Sequence, residues 1–452
     1  MLGNNVTVCS KLRPVPLLYN LLFPVFFLLS APYYFWKMWR RGGWQRGFNE
    51  RFGRIGPAKL EPLTGAQVLW LHAVSVGEVN VSLQLIAALR PRLAGWKFLI
   101  STTTSTGMGE LEKKLPADVA RIYYPVDFPW SVRRALDAIR PAAIILVEAE
   151  FWPNFLWQAR ARGLPVCLAN ARVSDKSFRG YRRGALLFRE LFGNFTAVGA
   201  QNDADAARLR ELGCRPDAIH VTGNAKFDAA APTGGATLDV PALLRTLGVP
   251  DDAQLLVAGS THAGEEVLLA QMFLRLRQRF PKLFLVLVPR HFERTAAVIE
   301  QLRPTGLRHV LRTELADGKT CAPGTVDCLL VNTTGELRHF YHHATVVFVG
   351  KSLTATGGQN PIEPGALGKA MLFGPHMENF RPIAAEFVTS DAAVQVPDPP
   401  ALEAALATLL ADPARREQLG ANALRVVQRN QGAAERTAEM IARRLQPVAP
   451  VA

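Results

Sequence analysis

The apolar run Val68-Leu69-Trp70-Leu71-His72 passes into Ala73-Val74-Ser75-Val76-Gly77-Glu78, after which apolar residues recur with helical spacing. That change of period marks a strand-to-helix turn, and Glu78 falls on it. A carboxylate there lies beside the unpaired amides of a helix start, is favoured as an anion, and is presented at the strand end where α/β proteins bind substrates. So placed, it can take a proton from an attacking hydroxyl. A lone first-turn glutamate can instead do no more than complement the helix dipole. The His-x-x-Ser-x-Gly-Glu run, with Ser75 and Gly77 beside the carboxylate, favours chemistry. Further on, Ile144-Ile145-Leu146-Val147 ends in Glu148-Ala149-Glu150-Phe151-Trp152-Pro153-Asn154. Residues 148 and 150 share a face if the strand persists, and their repulsion would favour protonation of one. Alternatively one of them caps the helix that Pro153 opens. Gly223-Asn224-Ala225-Lys226-Phe227-Asp228 closes this half of the chain, and its lysine can neutralise a phosphate or carboxylate.

The second half offers groups suited to an anion rather than to proton transfer. Gly259-Ser260-Thr261-His262-Ala263-Gly264-Glu265-Glu266 follows one strand-like run and opens a helix, bringing hydroxyls and amides together. Pro289-Arg290-His291 follows the next run and adds a guanidinium that matches phosphate. In Gly357-Gly358-Gln359-Asn360-Pro361-Ile362-Glu363-Pro364 the glycines admit close backbone approach, and Glu363 can accept from a pair of ribose hydroxyls. Together these three stretches outline a nucleotide cup. Other signals fail on inspection. Gly350-Lys351-Ser352 lacks the upstream glycine of a phosphate loop, where Thr345 stands. Asp203 and Asp205 sit at a helix start and read as caps. His339, His342 and His343 have loose metal spacing without carboxylates to complete a site. No metal and no cofactor is expected, and no Gly-x-Ser-x-Gly elbow supports a hydrolase.

Two α/β halves would position these groups. Short apolar runs alternate with amphipathic stretches after Pro62, the signature of parallel sheets covered by helices. Strands are expected at 68–72, 98–101, 143–147, 166–169 and 197–200, with helices at 79–93, 131–139 and 204–212. A composition change near 229–252 reads as a linker. Strands then follow at 255–258, 283–288, 328–331, 346–349 and 370–373, with helices at 265–279 and 292–302. Residues 400–445 read as two or three helices, broken at Pro413 and at Asn430-Gln431-Gly432. Ligands of two such halves belong at the carboxyl ends of the strands, in a cleft between domains.

The N-terminal segment has a different solvent. Val15 to Trp36 is apolar, carries Pro16, Pro24 and Pro32, and is followed by Lys37, Arg40, Arg41, Arg46, Arg51 and Arg54. It suits a single span or an interface-embedded helix, and the basic residues after it place the body on the cytoplasmic side. At 452 residues the chain is long enough for two cores. A net charge of +14 calls for an anionic partner, and with no nucleic-acid module in the sequence, lipid headgroups and a sugar nucleotide supply one. Five cysteines, odd in number and without a C-x-x-C pair, argue for a reducing compartment.

These stretches, taken in order, resemble the bacterial 3-deoxy-D-manno-octulosonic acid (Kdo) transferases from about Leu17 to the C-terminus. His72 to Glu78 matches the family's His-x-x-Ser-Val-Gly-Glu, and Glu148 to Asn154 is similar to its Glu-Thr-Glu-x-Trp-Pro-Asn. Asn170-Ala171-Arg172, Gly335-Glu336-Leu337 and Phe373-Gly374-Pro375-His376 also fit, while Ala149, Asn332, Lys351 and Gln359 depart from the usual residues. The resemblance implies a GT-B fold, two Rossmann-like domains facing a central cleft, behind a hydrophobic membrane-anchoring segment. The boundaries would be an anchor and basic flank over 1–54, an acceptor domain over 55–228, a linker over 229–252 and a nucleotide-sugar domain over 253–452. It further implies a CMP-Kdo donor, a tetra-acylated, phosphorylated lipid A precursor as acceptor, inner-membrane lipids as partners, and inversion without a metal. By the same carry-over Glu78 is the general base and Glu148 and Lys226 stabilise the transition state. Pro289, Arg290, Thr334, Gly335, Glu336, Asn360, Pro361, Ile362 and Glu363 bind CMP, with Ser75, Gly77, Ser260, Thr261 and His262 nearby. The competing readings are a GT-B enzyme that uses a uridine sugar nucleotide and a noncatalytic scaffold that binds nucleotide or lipid.

Overall fold

A computed structural model of the chain describes residues 14–40, 45–148, 151–228 and 238–445. Two compact units emerge, one formed by residues 1–229 with 431–452, the other by 230–430. In the first, the apolar runs become β1 (Val68–His72), β2 (Lys97–Thr102), β3 (Ala120–Tyr123), β4 (Ala143–Val147), β5 (Val166–Ala171), β6 (Ala197–Ala200) and β7 (Ile219–Val221). They form one parallel sheet in the order β3-β2-β1-β4-β5-β6-β7. Because strand side chains alternate, each central strand feeds two cores. Trp70, Ile144 and Leu146 enter one with Phe155 and Leu209, whereas Leu69, Leu71 and Ile145 enter the other with Ile86 and Ile441. Burial on both faces explains why these strands read as unbroken apolar runs.

The second unit repeats the design with β8 (Gln254–Thr261), β9 (Leu283–Pro289), β10 (His309–Leu311), β11 (Cys328–Leu330), β12 (Val346–Val349), β13 (Met371–Phe373) and β14 (Val394–Gln395). Their order is β10-β11-β9-β8-β12-β13-β14, again all parallel. Two Rossmann-like sheets of seven strands, each covered by helices, are the GT-B architecture expected from the sequence. Each sheet has one place where neighbouring strands lead away in opposite directions along the sheet. It falls between β1 and β4 in the first unit and between β8 and β12 in the second. The crevice at the carboxyl ends beside such a point is where open α/β sheets bind ligands.

The structure moves one boundary. The tail after Asn430 was expected with the second domain, yet its last helix, Ala433–Leu445, belongs to the first unit and packs Ala438, Ile441 and Ala442 into the core beside β1 and β4. Asp228 explains the return. One carboxylate oxygen accepts from the Gly432 amide at 2.6 Å and the other from the Ala434 amide at 2.7 Å, capping that helix, while Arg436 Nε donates to the Thr222 carbonyl at 2.8 Å. The expected linker is also shorter than read. A helix at Val240–Thr246 already belongs to the second unit, and residues 229–237 lie outside the described residues.

The apolar N-terminal segment forms one helix, Pro14–Arg40, with Pro24 and Pro32 inside it. Its Val15–Tyr33 stretch is, among the described residues, the one helix long and apolar enough to cross a membrane. Of the basic residues after it, Arg51 is turned inward. Its guanidinium donates to the Thr103 carbonyl at 2.8 Å and lies 4.1 Å from the Tyr123 ring centroid, and burial lowers its pKa. Arg46 and Arg54 remain exposed.

Asp228→Ala removes the cap that holds the last helix to the first unit and should lower stability by about 1–2 kcal/mol, with Asp228→Asn losing less. Urea midpoints of the three proteins measure this, and equal midpoints would show that the apolar face alone holds the helix.

Candidate active site

At the switch point of the first unit the chain leaves β1 through a short turn into the helix Val76–Leu89. Ser75 caps that helix, its Oγ accepting from the Glu78 amide at 3.3 Å and donating to Glu78 Oε1 at 2.9 Å. Glu78 Oε2 reaches back to accept from the Val74 amide at 2.8 Å. This reciprocal arrangement is a variant of the capping box in which the glutamate reaches the amide one residue before the cap, so the structural role weighed for Glu78 is filled. It also fixes the carboxylate, which is almost wholly buried, at the head of the helix. Gly77 beside it is exposed; a Cβ there would lie 4.0 Å from Lys226 Cε.

Across the switch point β4 delivers Glu148. Its partner is Lys226, whose Nζ lies 2.6 Å from Oε1 in a half-buried ion pair. The pairing expected with Glu150 falls on residues 149–150, outside the described residues. Asn170, at the end of β5, joins the two acidic and basic strand ends. Its Nδ2 approaches Glu148 Oε1 at 3.5 Å, its Oδ1 accepts from the Ala225 amide at 3.0 Å, and its carbonyl accepts from Gln201 Nε2 at 3.0 Å. Both Glu148 and Asn170 have left-handed backbone, with φ of 65° and 53°. That conformation is disfavoured for a side chain such as glutamate and more tolerable for asparagine. Beneath them Val81, Val147, Ala225, Ala433 and Ala434 form a small apolar cluster that locks helix, strand and turn together. Sequence reading singled out Glu78, Glu148 and Lys226, and the structure brings them to one strand edge. It treated Asn170 only as part of a family motif, although an asparagine ending a buried strand is itself a signal for left-handed backbone.

His72 lies one layer below. It is buried, stacks on Tyr124 with ring centroids 3.7 Å apart, and places Nδ1 3.0 Å from Ser101 Oγ, while Nε2 has no hydrogen-bond partner among the described residues. Burial pushes its pKa down to about 3, so the ring is neutral and supports β1 rather than transferring protons.

In the second unit the loops after β8, β9, β11 and β12 are neighbours along one edge. The switch point between β8 and β12 is filled by Glu265. Its fully buried carboxylate accepts from four amides: His262 at 2.9 Å, Lys351 at 2.7 Å, Ser352 at 2.9 Å and Leu353 at 3.0 Å. Of the amides that a phosphate loop would offer, those of Lys351 and Ser352 are therefore engaged. Two groups expected to meet an anion are engaged as well: the His262 amide by Glu265, and the Thr261 hydroxyl by Glu266 Oε1 at 3.1 Å, where Arg294 also binds at 3.0 Å. Ser260 (φ 55°) and Lys351 (φ 56°) are the left-handed residues other than glycine on this edge. Pro289 ends β9 buried, and Arg290 is exposed with its amide bonded to the Thr261 carbonyl at 3.1 Å. Thr334 and Gly335 are exposed, and Glu336 is held by Arg312 at 3.0 Å and by the Thr333 hydroxyl at 2.6 Å. Asn360 Oδ1 accepts from the Ile362 amide at 3.1 Å, and its Nδ2 donates to Glu363 at 3.2 Å, behind the buried Pro361 and Ile362. These residues share the carboxyl edge of one sheet with an exposed guanidinium among them, an arrangement that can hold a nucleotide phosphate.

A 3-deoxy-D-manno-octulosonic acid transferase of Bordetella pertussis is 37% identical over 429 residues, covering 91% of this chain and 96% of its own. The chain belongs to the Kdo transferase family. Its residues 46–229 match the family profile described as 3-deoxy-D-manno-octulosonic-acid transferase, and the Haemophilus influenzae transferase of that name is 31% identical over 87% of this chain and 90% of its own. Among solved structures, the UDP-GlcNAc 2-epimerase of Neisseria meningitidis covers 84% of this chain and 99% of its own at 13% identity and a TM-score of 0.55. A glycosyltransferase from Rickettsia africae covers 85% and 100% at 12% identity and a TM-score of 0.54. These two likenesses concern the fold alone. The membership makes the chain a glycosyltransferase, and the edge carrying Glu78, Glu148 and Lys226 lies inside the profile match.

Two measurements test this site. Because the folded-state pKa of His72 is depressed from about 6.5 to about 3, its contribution to stability is complete above pH 6.5 and is lost as pH falls through that window, at up to about 1.4 kcal/mol per pH unit. The stability difference between wild type and His72→Gln should therefore shrink from pH 7 to pH 4, whereas parallel curves would place a charge on the buried ring. Asn170→Ala should lower kcat for sugar transfer roughly 100-fold, the scale of a misplaced reacting group, with donor KM little changed. Asn170→Gly, which tolerates the backbone angle, should recover stability but not rate. A change confined to KM would remove Asn170 from the positioning of Lys226 and Glu148.

Proposed function

We propose that the chain transfers Kdo from CMP-Kdo to a tetra-acylated, phosphorylated lipid A precursor, with inversion and with Glu78 as general base, at the cytoplasmic face of the inner membrane. The observation that carries this reading is the capped Glu78 carboxylate at the switch point of the first unit, with the Lys226–Glu148 pair across from it, in a chain that aligns with Kdo transferases over most of its length.

The chemistry follows from those positions. An acceptor hydroxyl oxygen attacks the anomeric carbon, and its proton passes to the Glu78 carboxylate as the new C–O bond forms. The bond from that carbon to the phosphate oxygen breaks, and CMP departs with the electron pair. Arg290 is exposed to meet the departing phosphate. Lys226, held by Glu148, supplies positive charge beside the reacting oxygens without having to be desolvated anew. Pro289, Thr334 to Glu336 and Asn360 to Glu363 hold the cytidylate in this reading, on the common edge of the second sheet. Ser75 and Gly77 border the acceptor hydroxyl. The Ser260 hydroxyl and the His262 ring serve the donor side in this reading, with Thr261 buried behind them and its hydroxyl taken by Glu266. The location rests on the exposed apolar face of the Pro14–Arg40 helix, the basic residues after it and a net charge of +14, which suit an anionic bilayer.

Purified protein in detergent, supplied with regenerated CMP-Kdo and the lipid precursor, should yield lipid heavier by one or more Kdo increments in mass spectra. Glu78→Gln should cut transfer by roughly 100-fold or more, a common general-base contribution, while keeping wild-type unfolding behaviour. Turnover near that of wild type in this variant would remove Glu78 from the scheme. No increment, with a control enzyme active in the same tube, would overturn the donor and acceptor assignment.

A further inference from the structure

The Pro14–Arg40 helix is held to the first unit along one face and bare along the other. Tyr19 Oη donates to Asp127 Oδ2 at 2.9 Å, and Asn154 Nδ2 donates to Asn20 Oδ1 at 2.7 Å. One and two turns later Phe23 and Phe27 pack edge-on against Phe128, with centroids 5.3 and 5.1 Å away. Asp127 is buried and accepts in addition from the Asn154 and Phe155 amides, both at 3.0 Å; burial nevertheless pushes its pKa up to about 7. A carboxyl so enclosed needs every donor it has, including the one from the helix. Residues 19, 23 and 27 thus dock three successive turns on a loop and a helix start of the folded body.

The opposite face is Leu18, Leu22, Val25 and Leu29, each more than half exposed, with Trp36 and Trp39 continuing it. The docked stretch straddles the middle of the apolar Val15–Tyr33 segment. If that segment crossed a bilayer while docked, Asp127, Asn154 and the body around them would have to sit at the depth of the hydrocarbon, where unsolvated polar groups are not tolerated. A helix lying in the interface meets no such conflict, since its docked side faces protein and its bare side faces acyl chains, with tryptophans at headgroup level.

We infer that this helix lies along the membrane surface, clamped to the catalytic body by Tyr19–Asp127 and Asn20–Asn154, and does not span the bilayer. The inference rests on the membrane attachment proposed above. It makes the helix a rigid keel that fixes how the first unit meets the lipid, in place of a flexible tether.

Spin labels on single cysteines introduced at Leu18, Leu22, Val25 and Leu29, in a full-length Cys9→Ser, Cys321→Ser background, report depth in vesicles of phosphatidylglycerol and phosphatidylethanolamine. These positions face away from the body, so folding is spared. The expected result is one common depth, about 5–10 Å below the headgroups. A depth that rises by about 1.5 Å per residue, roughly 16 Å from the first label to the last, would establish a span and overturn the inference. Labels that meet no lipid at all would instead sink the membrane attachment itself. Adding Tyr19→Phe and Asn20→Leu, which removes both hydrogen bonds and raises apolarity, should tilt the profile; an unchanged profile would strike the clamp from the account.

Discussion

Most of what this chain can do follows from one topological constraint: in a parallel sheet, neighbouring strands that lead off in opposite directions leave an uncovered crevice at their carboxyl ends. Both units have such a crevice, and they use it differently. Between β1 and β4 the flanking carboxylates, Glu78 and Glu148, are fixed by short-range partners, a capping box and a lysine. Between β8 and β12 the carboxylate of Glu265 turns inward and takes four backbone amides. Four such bonds tie the loop after β12 to the turn after β8. The first crevice keeps charged groups at its mouth, and the second uses its charge to shape loops. The proposed roles of a base and a nucleotide cradle call for those two treatments respectively.

The constraint has a backbone cost that is visible at the same places. Six residues other than glycine have left-handed backbone among the described residues, and Glu148, Asn170, Ser260 and Lys351 are four of them. All four lie at or within two residues of strand ends on the carboxyl edges of the sheets, where the chain must turn sharply. Such angles persist only where surroundings over-determine them. At Asn170 three hydrogen bonds do so, at Glu148 the Lys226 ion pair, and at Lys351 the Glu265 carboxylate beneath its amide. Gly350 shows how tight the second edge is, since a Cβ there would lie 2.6 Å from the Ser260 carbonyl oxygen.

The central strands were legible because burial on both faces writes them as apolar runs; β1, β4, β6 and β12 begin and end where the runs do. The edge strands were not. β3, β7, β10 and β14 are two to four residues long and carry Arg121, His220, His309 and Gln395, so they make no run to be read. The helix after β1 was read as starting at Val79 but starts at Val76, and the missed signal was local, a Ser75-x-x-Glu78 capping box. Glu78, Glu148 and Lys226 could be found by residue type and place, whereas the inward role of Glu265 depends on β12 lying beside β8, a pairing between segments some ninety residues apart that no local pattern records. Charge misled in a similar way: Arg51 counts toward a basic flank in the sequence and stacks on Tyr123 in the fold.

The Gly223–Asp228 stretch shows how closely site and architecture are joined. Lys226 reaches the end of β4, and two residues later Asp228 caps the helix with which the chain returns after completing the second unit. Ala433 and Ala434, at the start of that helix, pack with Val81, Val147 and Ala225 directly under the charged groups. The second unit is therefore an insertion whose entry and exit are both fixed within the first, beside the lysine. A tail that the sequence assigns by proximity to the second domain is instead part of the floor beneath Glu148 and Lys226, because apolar alanines at a helix start fill the space beside Val81, Val147 and Ala225.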